Sequence, residues 1–290
     1  MKKLIGSFLV SPEFQRSLLA LPIRAMVRAT DGFMKYSTAF KMDMQIVERP
    51  HYSYCMLKAA ELAVRLGHDR ISAIEFGVAG GNGLVYMCAF AEEVKKMTGV
   101  TVDCYGFDTG EGMPDPEGEA DLPYWFAAAQ YRMDVPALKA RVPQAKLVLG
   151  NIRDSIDGFI EEYNPAPIGA IFNDTDYWSS TRESFRLYDK IKSHPDAFLP
   201  RQFMYFDDVL GSETEMYGPH NGQILAINEF NAQQDAVKIH RNQNLLSFDH
   251  LAYRFQIYYA HLFEHPAYNT YVGGERQEHL QDLLKLKAAG

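Results

Sequence analysis

The sequence predicts an α/β protein with a mainly parallel, seven-stranded sheet and an antiparallel edge, and three observations support this. From Ile71 onward, short apolar segments alternate with longer helical segments, as in sheets whose parallel strands are joined by helices. A glycine-rich turn, Gly77–Gly83, joins the first strand to the next helix. The last two apolar segments follow each other without a full helix between them, which is typical of an antiparallel pair.

The first 68 residues contain no series of strand-like segments. Phe14–Ala29 carries apolar residues at helical spacing among arginines and is interrupted by Pro22. A second helix is predicted over Tyr52–Leu66, with Gly67 as its C-terminal end. The first helix would pack on the sheet or on a second copy of the chain, and a membrane-surface helix is the alternative interpretation.

Each of the first five predicted strands is a short, mostly apolar run followed by or ending at Gly, Asn or Asp. In order, the strands are Ile71–Phe76, Val102–Phe107, Ala145–Leu149, Pro167–Phe172, Gln202–Phe206, Ala236–His240 and Arg254–Leu262. The helices are predicted over Leu84–Lys96, Pro136–Ala140, Ile152–Tyr163, Ser180–Lys192 and His220–Gln234. Residues 109–125 are dense in Gly, Pro and acids, and they are predicted as a long loop, here called the acidic loop.

We expect three parts of the chain: residues 1–68 as a helical cap, residues 69–265 as the domain that carries the sheet, and residues 266–290 as a C-terminal tail. A hydrophobic content of 47% and a charged content of 23% are ordinary for a globular protein. The apolar cap segment makes a homodimer or a higher homo-oligomer an expected assembly.

An excess of acids argues against a nucleic-acid partner, since 29 Lys and Arg against 37 Asp and Glu give a net charge of −8. The three cysteines show no metal-ligand spacing, as expected in a reducing compartment. No apolar run approaches the roughly 18 residues of a membrane helix. The short apolar stretch Leu4–Val10 lacks the cleavage site of a signal peptide. We therefore expect a cytoplasmic protein with no integral membrane segment.

Polar residues stand at the ends of five predicted strands: Glu75, Asp108, Asn151, Asp174 and Asp207. The carboxyl ends of parallel strands meet at one edge of an open α/β sheet, which is where such sheets bind ligands. This placement predicts a small-molecule site at that edge.

The glycine spacing limits the class of ligand. The order G-x-x-G-G-x-G after Glu75 and Phe76 departs from the G-x-G-x-x-G turn of nicotinamide dinucleotide sites, and no Gly-Lys-Ser/Thr supports phosphoryl transfer. Asp108 suits a ribose diol, because one carboxylate can accept hydrogen bonds from both hydroxyls. A ligand with ribose and adenine but no essential phosphate therefore fits better, and a nicotinamide-dependent oxidoreductase is a disfavoured alternative.

The glycine turn and four later motifs resemble a known enzyme family. E-F-G-V-A-G-G-N-G (75–83) resembles the first motif of class I S-adenosylmethionine (SAM) dependent methyltransferases. The remaining motifs are similar to the macrocin-type O-methyltransferases, which act on sugar hydroxyls. These motifs are G-F-D-T-G-E-G-M-P (106–114), D-T-D-Y-W-S-S-T (174–181), Y-F-D-D (205–208) and G-Q-I-L-A-I-N-E-F (222–230). The resemblance spans Ile71–Phe230 and implies a Rossmann-like methyltransferase fold over residues 69–265.

Two positions depart from the family pattern. Asn173 stands where an apolar residue is usual, and Phe198-Leu-Pro-Arg replaces a Gly-Gly turn before the fifth strand. We expect the first departure to alter hydrogen bonding beside the metal site and the second to reshape a distal loop.

The resemblance implies SAM as the methyl donor and Mg²⁺ as a metal cofactor. The cofactor-binding residues that it implies are Glu75, Gly77, Gly81, Asp108, Thr109, Asn151 and Ile152. Glu75 and Gly77 would shape the turn at the methionine end of SAM, and Gly81 would let the backbone approach the ligand. Asp108 would hold the ribose, and Asn151 with Ile152 would border the adenine. The metal-binding acids that it implies are Asp174, Asp207 and Asp208.

A physical argument also favours a metal at these three acids. If the fourth and fifth strands are neighbours, their tips lie about 5 Å apart, so Asp174 and Asp207 converge. Uncompensated carboxylates repel one another and raise their own pKa values, and a hard divalent cation removes that conflict. An all-oxygen site favours Mg²⁺ over zinc. The alternative is a solvated turn at Asp207-Asp208, with Asp174 capping the next helix.

The predicted function is SAM- and Mg²⁺-dependent methyl transfer to a hydroxyl of a small molecule, with a sugar or a glycosylated natural product as the expected acceptor. Asp176, one full pleat beyond Asp174, is the first candidate base, and His220 at a predicted helix start is the second. An ordinary loop histidine is the alternative for His220. A non-catalytic SAM-binding or scaffold protein is the alternative function.

Four aromatic residues end or follow the acidic loop: Tyr124, Trp125, Phe126 and Tyr131. They would either stack on the acceptor as part of a lid or pack as a small core beneath the loop. The sequence leaves both interpretations open.

Overall fold

The computed structural model describes residues 20–274, 280–282 and 284–285. Its strands are β1 (Arg70–Phe76), β2 (Thr101–Asp108), β3 (Lys146–Leu149), β4 (Ile168–Asn173), β5 (Phe198–Phe206), β6 (Val237–Arg241) and β7 (Ile257–Leu262). Its helices are α1 (Ala20–Met34), α2 (Thr38–Asp43), α3 (Pro50–Leu66), α4 (Asn82–Thr98), α5 (Val135–Arg141), α6 (Ile152–Ser155), α7 (Phe159–Tyr163), α8 (Trp178–Ser184), α9 (Gly222–Gln233) and α10 (Gln243–Leu246).

The seven strands form one sheet in the order β3-β2-β1-β4-β5-β7-β6. Strands β1 to β5 pair in parallel, whereas β7 runs antiparallel to both β5 and β6. The predicted fold class is therefore confirmed. The chain leaves β1 in one direction to form β2 and β3, then returns to place β4 on the other side. This reversal opens a crevice at the carboxyl ends of β1 and β4.

The sheet is buried on both faces, because helices cover each side. Every residue of β1 after Arg70, and every residue of β4, is buried. One face packs against α3 and α4, with Tyr52, Met56 and Leu84 in its core. The other packs against α7 and the segment after α8, with Phe107 and Phe159 in its core. Strands buried on both faces read as continuous apolar runs, which is why β1 and β4 were recognisable in the sequence.

Helix α3, the second predicted helix of the cap, packs directly on β1, β4 and β5. It ends at Gly67, which has a left-handed backbone conformation with φ +83°. Helix α1 continues through Pro22 to Met34, and the part of the predicted helix before Ala20 lies outside the described residues. Helix α1 exposes Leu21, Phe33 and other large apolar side chains, and the expected homo-oligomer stays a prediction. No helix among the described residues is long and apolar enough to cross a membrane.

Several element bounds differ from those predicted, each for a local reason. The helix expected over Ile152–Tyr163 breaks at Asp157-Gly158 into α6 and α7. The helix expected over Ser180–Lys192 becomes a 3₁₀ helix after Ser184. Strand β5 begins at Phe198 and includes Pro200, at a register irregularity opposite β4, where a missing N–H is tolerated.

Candidate active site

A cleft of about 520 Å³ opens at the carboxyl ends of β1 to β4, at the point where the strand order reverses. It is lined by Gly77, Ala79, Phe107, Asp108, Thr109, Gly112, Met113, Pro114, Tyr131, Gly150, Asn151, Ile152, Asp174, Thr175, Asp176 and Ser180. Of the residues predicted to bind the cofactor, Gly77, Asp108, Thr109, Asn151 and Ile152 line this cleft, whereas Glu75 and Gly81 are not among its lining residues.

The glycine turn follows β1 and brings the chain close to β4. Gly77 has φ +85°, and a Cβ at this position would lie 1.9 Å from the carbonyl oxygen of Asp174. Gly81 has φ +88°, and a Cβ there would lie 2.4 Å from Cδ1 of Leu138. The space beside Gly81 is thus taken by helix α5. The backbone conformation and the packing of Leu138 both require glycine at this position, and the predicted close approach of Gly81 to a ligand stays a prediction.

Asp108 organises the turn from the end of β2. Its Oδ2 accepts hydrogen bonds from the amides of Val78 (3.0 Å) and Ala79 (2.8 Å), and its Oδ1 accepts one from the amide of Gly110 (2.6 Å). These bonds tie the glycine turn to the start of the acidic loop. Since each carboxylate oxygen has two lone pairs, Oδ1 keeps one acceptor position for a ligand hydroxyl.

Glu75 is buried at the end of β1 and contacts helix α3. Its Oε1 accepts a short hydrogen bond from the hydroxyl of Tyr52, whereas its Oε2 has no hydrogen-bond partner. Burial raises the pKa of Glu75 to about 8, and the Tyr52 bond and the positive charge of Arg49 oppose that shift. The same carboxyl leaves no room for a side chain at Gly83, where a Cβ would lie 1.8 Å from Oε1.

The far end of the cleft is formed by the segment that follows β3. Asn151 caps helix α6, because its Oδ1 accepts a hydrogen bond from the amide of Arg153 at 3.0 Å. Ile152 is buried beside it, and the hydroxyl of Thr109 donates to the carbonyl of Gly112 at 2.6 Å. The roles proposed for Asn151, Ile152 and Thr109 toward adenine and ribose stay predictions.

Three acids meet at the other end of the cleft, where β4 and β5 end side by side. Asn173 and Phe206 are in register at the last position of the two strands, so Asp174 and Asp207 follow as neighbours. One carboxylate oxygen each of Asp174, Asp207 and Asp208 lies within 4.8 Å of the others. We call these three residues the acidic cluster. Their convergence is as the sequence predicted, and their binding of a metal stays a prediction.

Side chains that the sequence analysis did not single out hold the acidic cluster in place. Asp207 accepts a short hydrogen bond from the hydroxyl of Tyr205, and the amide of Gln256 donates to the Asp207 carbonyl at 2.9 Å. Asp208 accepts from the hydroxyl of Tyr217 at 3.1 Å, and its own amide donates to Gln223 at 3.0 Å. Gln256 and Tyr217 belong to distant or irregular segments, so no local sequence pattern marks them.

The acids of the cleft raise one another's pKa values. Burial raises the pKa of Asp174 well above its usual range, and the negative charges of Asp207 and Asp208 add to the shift. The pKa of Asp208 is raised in the same direction by burial and by Asp176. Burial, then Asp174, raises the pKa of Asp176 to about 8. Among the described residues, no Lys or Arg forms an ion pair with these acids, although Arg49 lowers the pKa of Asp174 from a distance.

The two candidate bases lie in different places. Asp176 lines the cleft, but the pleat argument for it was wrong, because β4 ends at Asn173 and Asp176 lies in a turn with φ +57°. Its amide donates to Oδ2 of Asp208 at 3.2 Å. His220 is exposed in the turn before α9 and does not line the cleft. The structure thus brings Asp176, and not His220, to the acidic cluster.

Asn173 departs from the family pattern beside the proposed metal site. Its side chain points away from the cleft. Its Oδ1 accepts a hydrogen bond from the hydroxyl of Ser184 at 3.0 Å. Its register partners Phe76 and Phe206 belong to the core on that same face. Asn173 nevertheless supports the acidic cluster through its backbone carbonyl, which accepts from the amide of Asp207 at 3.0 Å.

The strand order β3-β2-β1-β4-β5-β7-β6, with β7 antiparallel to its neighbours, identifies the fold. It is the class I methyltransferase fold. No protein-family model matches the chain, and no curated protein matches it.

Solved structures with this fold are similar to the chain at low identity. The chain is similar to the calicheamicin methyltransferase CalS11, with 18% identity, a TM-score of 0.49 and coverage of 87% of this chain and 93% of that chain. It is similar to the O-methyltransferase NovP, with 13% identity, a TM-score of 0.47 and coverage of 72% and 78%. A Bacillus cereus O-methyltransferase in complex with SAH shows 13% identity, a TM-score of 0.39 and coverage of 84% and 90%.

The four aromatic residues at the end of the acidic loop differ in their burial. Phe126 is buried and packs with Leu122 and Tyr177 as a small core. Tyr124, Trp125 and Tyr131 are exposed, and Tyr131 lines the cleft. Phe126 therefore supports the loop, the hydroxyl of Tyr124 donates to the carbonyl of Glu215 at 2.7 Å, and contact of the exposed aromatic residues with an acceptor stays a prediction.

Helix α3 contributes residues to the site that the sequence analysis missed. His51 stacks at 4.3 Å between ring centroids on Tyr205, whose hydroxyl bonds Asp207. Burial lowers the pKa of His51 to about 3, so its ring is neutral near pH 7. Tyr52 stacks on Phe172 of β4 at 4.1 Å and bonds Glu75. No motif marks these positions, since they reach the site only because α3 packs across the ends of the central strands.

Proposed function

We propose that the protein is a SAM-dependent O-methyltransferase that requires Mg²⁺ and methylates a hydroxyl of a small molecule, such as a sugar or a glycosylated natural product. The observation that carries this proposal is the position of the acidic cluster at one end of the cleft, directly beside the turn that follows β1. In this arrangement a donor bound in the cleft and an oxygen acceptor held at the acidic cluster would lie next to each other.

The residues of the cleft fit SAM. The turn after β1 presents backbone groups to the cleft at Gly77 and Ala79, and its conformation is fixed by Asp108. The free acceptor position of Asp108 suits a ribose hydroxyl, and the apolar side chain of Ile152 suits an adenine face. The uncharged walls near Phe107 and Met113 suit a donor without phosphate groups.

The acidic cluster fits a hard divalent cation. Its donors are all carboxylate oxygens. Burial and then repulsion between the acids raise the pKa values of Asp174 and Asp208, and a bound cation would relieve that repulsion. Bound Mg²⁺ would supply a Lewis acid that lowers the pKa of an acceptor hydroxyl. Asp174 makes no side-chain hydrogen bond to another described residue, and Asp207 and Asp208 keep free lone pairs beyond those that Tyr205 and Tyr217 use.

Asp176 is the residue we propose as the base. It lines the cleft, its amide donates to Asp208 of the acidic cluster at 3.2 Å, and its raised pKa suits proton acceptance near neutral pH. His220 is the second candidate from the sequence, and its exposed position before α9 gives it no support.

Calorimetric titration tests the donor site. S-adenosylhomocysteine should bind the purified protein, and NAD⁺ should not. Binding of NAD⁺ in preference would favour the nicotinamide-dependent oxidoreductase. Binding of S-adenosylhomocysteine and Mg²⁺, with no methyl transfer to a broad panel of diols, would favour a non-catalytic SAM-binding protein.

Turnover tests the metal role. Mass spectrometry of an extract supplied with labelled SAM should identify the acceptor, and Asp207→Ala should then abolish Mg²⁺-dependent turnover with S-adenosylhomocysteine affinity nearly intact. Asp235→Ala is the matched control, because the Asp235 side chain is fully exposed and forms a surface ion pair with Lys238. Activity that persists in a chelator would refute the metal requirement.

A further inference from the structure

One oxygen of Asp207 is already occupied by hydrogen bonds from the protein. Its Oδ1 accepts a short hydrogen bond from the hydroxyl of Tyr205 and a second one, at 3.3 Å, from the side-chain amide of Gln256. A carboxylate oxygen has two lone pairs, so these two donors use the acceptor capacity of Oδ1. The other oxygen, Oδ2, is then the one that Asp207 can offer to a cation.

The two donors come from neighbouring antiparallel strands. Tyr205 lies in β5, two residues before Asp207, and Gln256 directly precedes β7. The pairing of Tyr205 with Ile257 places Gln256 beside the end of β5. There the carbonyl of Gln256 accepts from the amide of Phe206 at 3.0 Å, and its side-chain amide donates to the Asp207 carbonyl at 2.9 Å. Gln256 is therefore fixed to the end of β5 through both its backbone and its side chain.

The ring of Tyr205 is held as firmly as its hydroxyl. Tyr205 is only 4% exposed, and His51 stacks on its ring at 4.3 Å between centroids. The side-chain amide of Gln256 also donates to the Tyr205 hydroxyl at 3.2 Å, so Tyr205, Gln256 and Asp207 form a closed triangle of hydrogen bonds. The triangle fixes the plane of the Asp207 carboxylate.

Asp208, the next acid of the cluster, is restrained in a similar way. Its Oδ1 accepts a hydrogen bond from the hydroxyl of Tyr217 at 3.1 Å, and its Oδ2 accepts one from the amide of Asp176 at 3.2 Å. Each of its oxygens therefore keeps one lone pair, in a direction that these donors set. Two of the three acids thus meet a cation with carboxylates that cannot turn freely.

This restraint bears on which cation the acidic cluster suits. Ca²⁺ takes six to eight oxygens in a flexible arrangement and commonly uses both oxygens of a carboxylate, whereas Mg²⁺ requires a near-octahedral arrangement and retains several water molecules. A carboxylate that is held in one orientation and offers one oxygen suits Mg²⁺. A carboxylate that is free to turn can give both of its oxygens to Ca²⁺.

We propose that Tyr205 and Gln256 are positioning residues that make Asp207 offer a single oxygen to the cation, and that this restraint favours Mg²⁺ over Ca²⁺. The inference rests on the proposed function and names residues that set the metal selectivity of that site. Both residues act through Asp207 and have no contact with the cation of their own.

Calorimetric titrations of Mg²⁺ and of Ca²⁺ test the inference on the protein loaded with S-adenosylhomocysteine. Tyr205→Phe and Gln256→Met each remove one donor to Oδ1, and Tyr205→Phe keeps the ring on which His51 stacks. Each variant should weaken Mg²⁺ binding about tenfold, as is typical when a residue that orients a metal ligand is lost. Ca²⁺ should weaken by less than about threefold, because the released carboxylate can bind it through both oxygens. The affinity for S-adenosylhomocysteine should be unchanged.

Tyr258→Phe is the matched control, since it removes the hydroxyl of another buried tyrosine, which lies in β7 and accepts from Arg241 at 3.2 Å. Its ratio of the Ca²⁺ and Mg²⁺ dissociation constants should equal that of the wild type. An unchanged ratio in either Tyr205→Phe or Gln256→Met would overturn the inference, as would the same change of ratio in Tyr258→Phe. If the wild type binds neither cation, the metal requirement of the proposed function is overturned as well, so the two failures are distinguishable.

Discussion

Gly77 follows β1 directly and turns the chain with φ +85°. Its backbone lies against the carbonyl of Asp174, where a Cβ would clash. A side chain there would meet both a conformational cost and a backbone clash, and no flexible neighbour could move aside. The position thus links the donor turn to the first acid of the acidic cluster. A single glycine determines how close these two parts of the site come.

Gly77→Ala should destabilise the protein by about 3 kcal/mol, from the positive φ together with the clash. It should also weaken Mg²⁺ binding, because Asp174 must shift. Gly80→Ala is the control in the same turn, since a Cβ there meets nothing within 4 Å. Chemical denaturation and calorimetry measure the two effects, and equal stability of the two variants would contradict the clash.

The Glu75 carboxyl should make stability depend on pH. Its pKa is about 8 in the folded protein against a usual value of 4.5, so the folded state binds more protons between these values. Stability from this group is complete below about pH 4.5 and is lost as the pH rises toward 8. Glu75→Gln keeps the size of the side chain and should flatten this decline.

Denaturation of the wild type and of Glu75→Gln across pH 5 to 8 measures the difference. Glu61→Gln is the control, because Glu61 pairs with Lys58 at a half-exposed position of α3. A wild-type decline that is identical in Glu75→Gln would show that Glu75 titrates at its ordinary pKa.

At the scale of elements, the acidic loop is fastened to helix α8 by one buried acid. The carboxylate of Asp121 accepts hydrogen bonds from the amide of Ser179 (2.8 Å), the hydroxyl of Ser179 (2.7 Å) and the amide of Glu117 (2.7 Å). Phe126 and Leu122 pack beside this anchor. The centre of the acidic loop is therefore held in place against α8, and the exposed aromatic residues belong to or follow this anchored segment.

Asp121→Ala should release the acidic loop, since it leaves buried donors without an acceptor at a cost of about 1–3 kcal/mol. Limited proteolysis should cut residues 109–125 faster in this variant, and S-adenosylhomocysteine should bind more weakly. Glu119→Ala changes an exposed acid in the same 3₁₀ turn and serves as the control. Unchanged cleavage in Asp121→Ala would mean that the small core alone holds the loop.

At the scale of the whole molecule, the fold concentrates negative charge where two parallel strands end. Burial and mutual repulsion raise the pKa values of Asp174 and Asp208. Keeping these carboxyls ionised therefore lowers the free energy of unfolding. Functional sites commonly trade stability for reactivity in this way. A ligand that binds only the folded protein offsets that cost by mass action.

Asp207→Asn should therefore stabilise the metal-free protein by about 1 kcal/mol, because it removes one repelling charge and keeps the oxygen that Tyr205 bonds. Mg²⁺ at about 100 times its dissociation constant should stabilise the wild type by about 2.7 kcal/mol and this variant by much less. Asp235→Asn, at a fully exposed acid, should behave as the wild type in thermal melts with and without Mg²⁺. Equal Mg²⁺ stabilisation of all three proteins would contradict a metal site at the acidic cluster.

Much of the fold followed from the sequence because its signals are local. Buried parallel strands such as β1 and β4 are continuous apolar runs, and the acids at or after the strand ends mark the edge at which the cleft opens. Element ends were less accurate, as at α6 and α7, where Gly158 interrupts a pattern that looked continuous. The pleat argument for Asp176 failed for a similar reason, since strand length is decided by pairing with neighbouring strands.

The sequence by itself determined the sheet class, the edge at which the cleft opens and the convergence of Asp174, Asp207 and Asp208 there, because apolar periodicity and turn residues are properties of short segments. Only the tertiary structure decided that Tyr52 and His51 reach the site, that Leu138 fills the space beside Gly81, and that His220 stays outside the cleft. Those outcomes depend on contacts between segments far apart in the chain. Such contacts are set by packing of the whole core and leave no local pattern to detect.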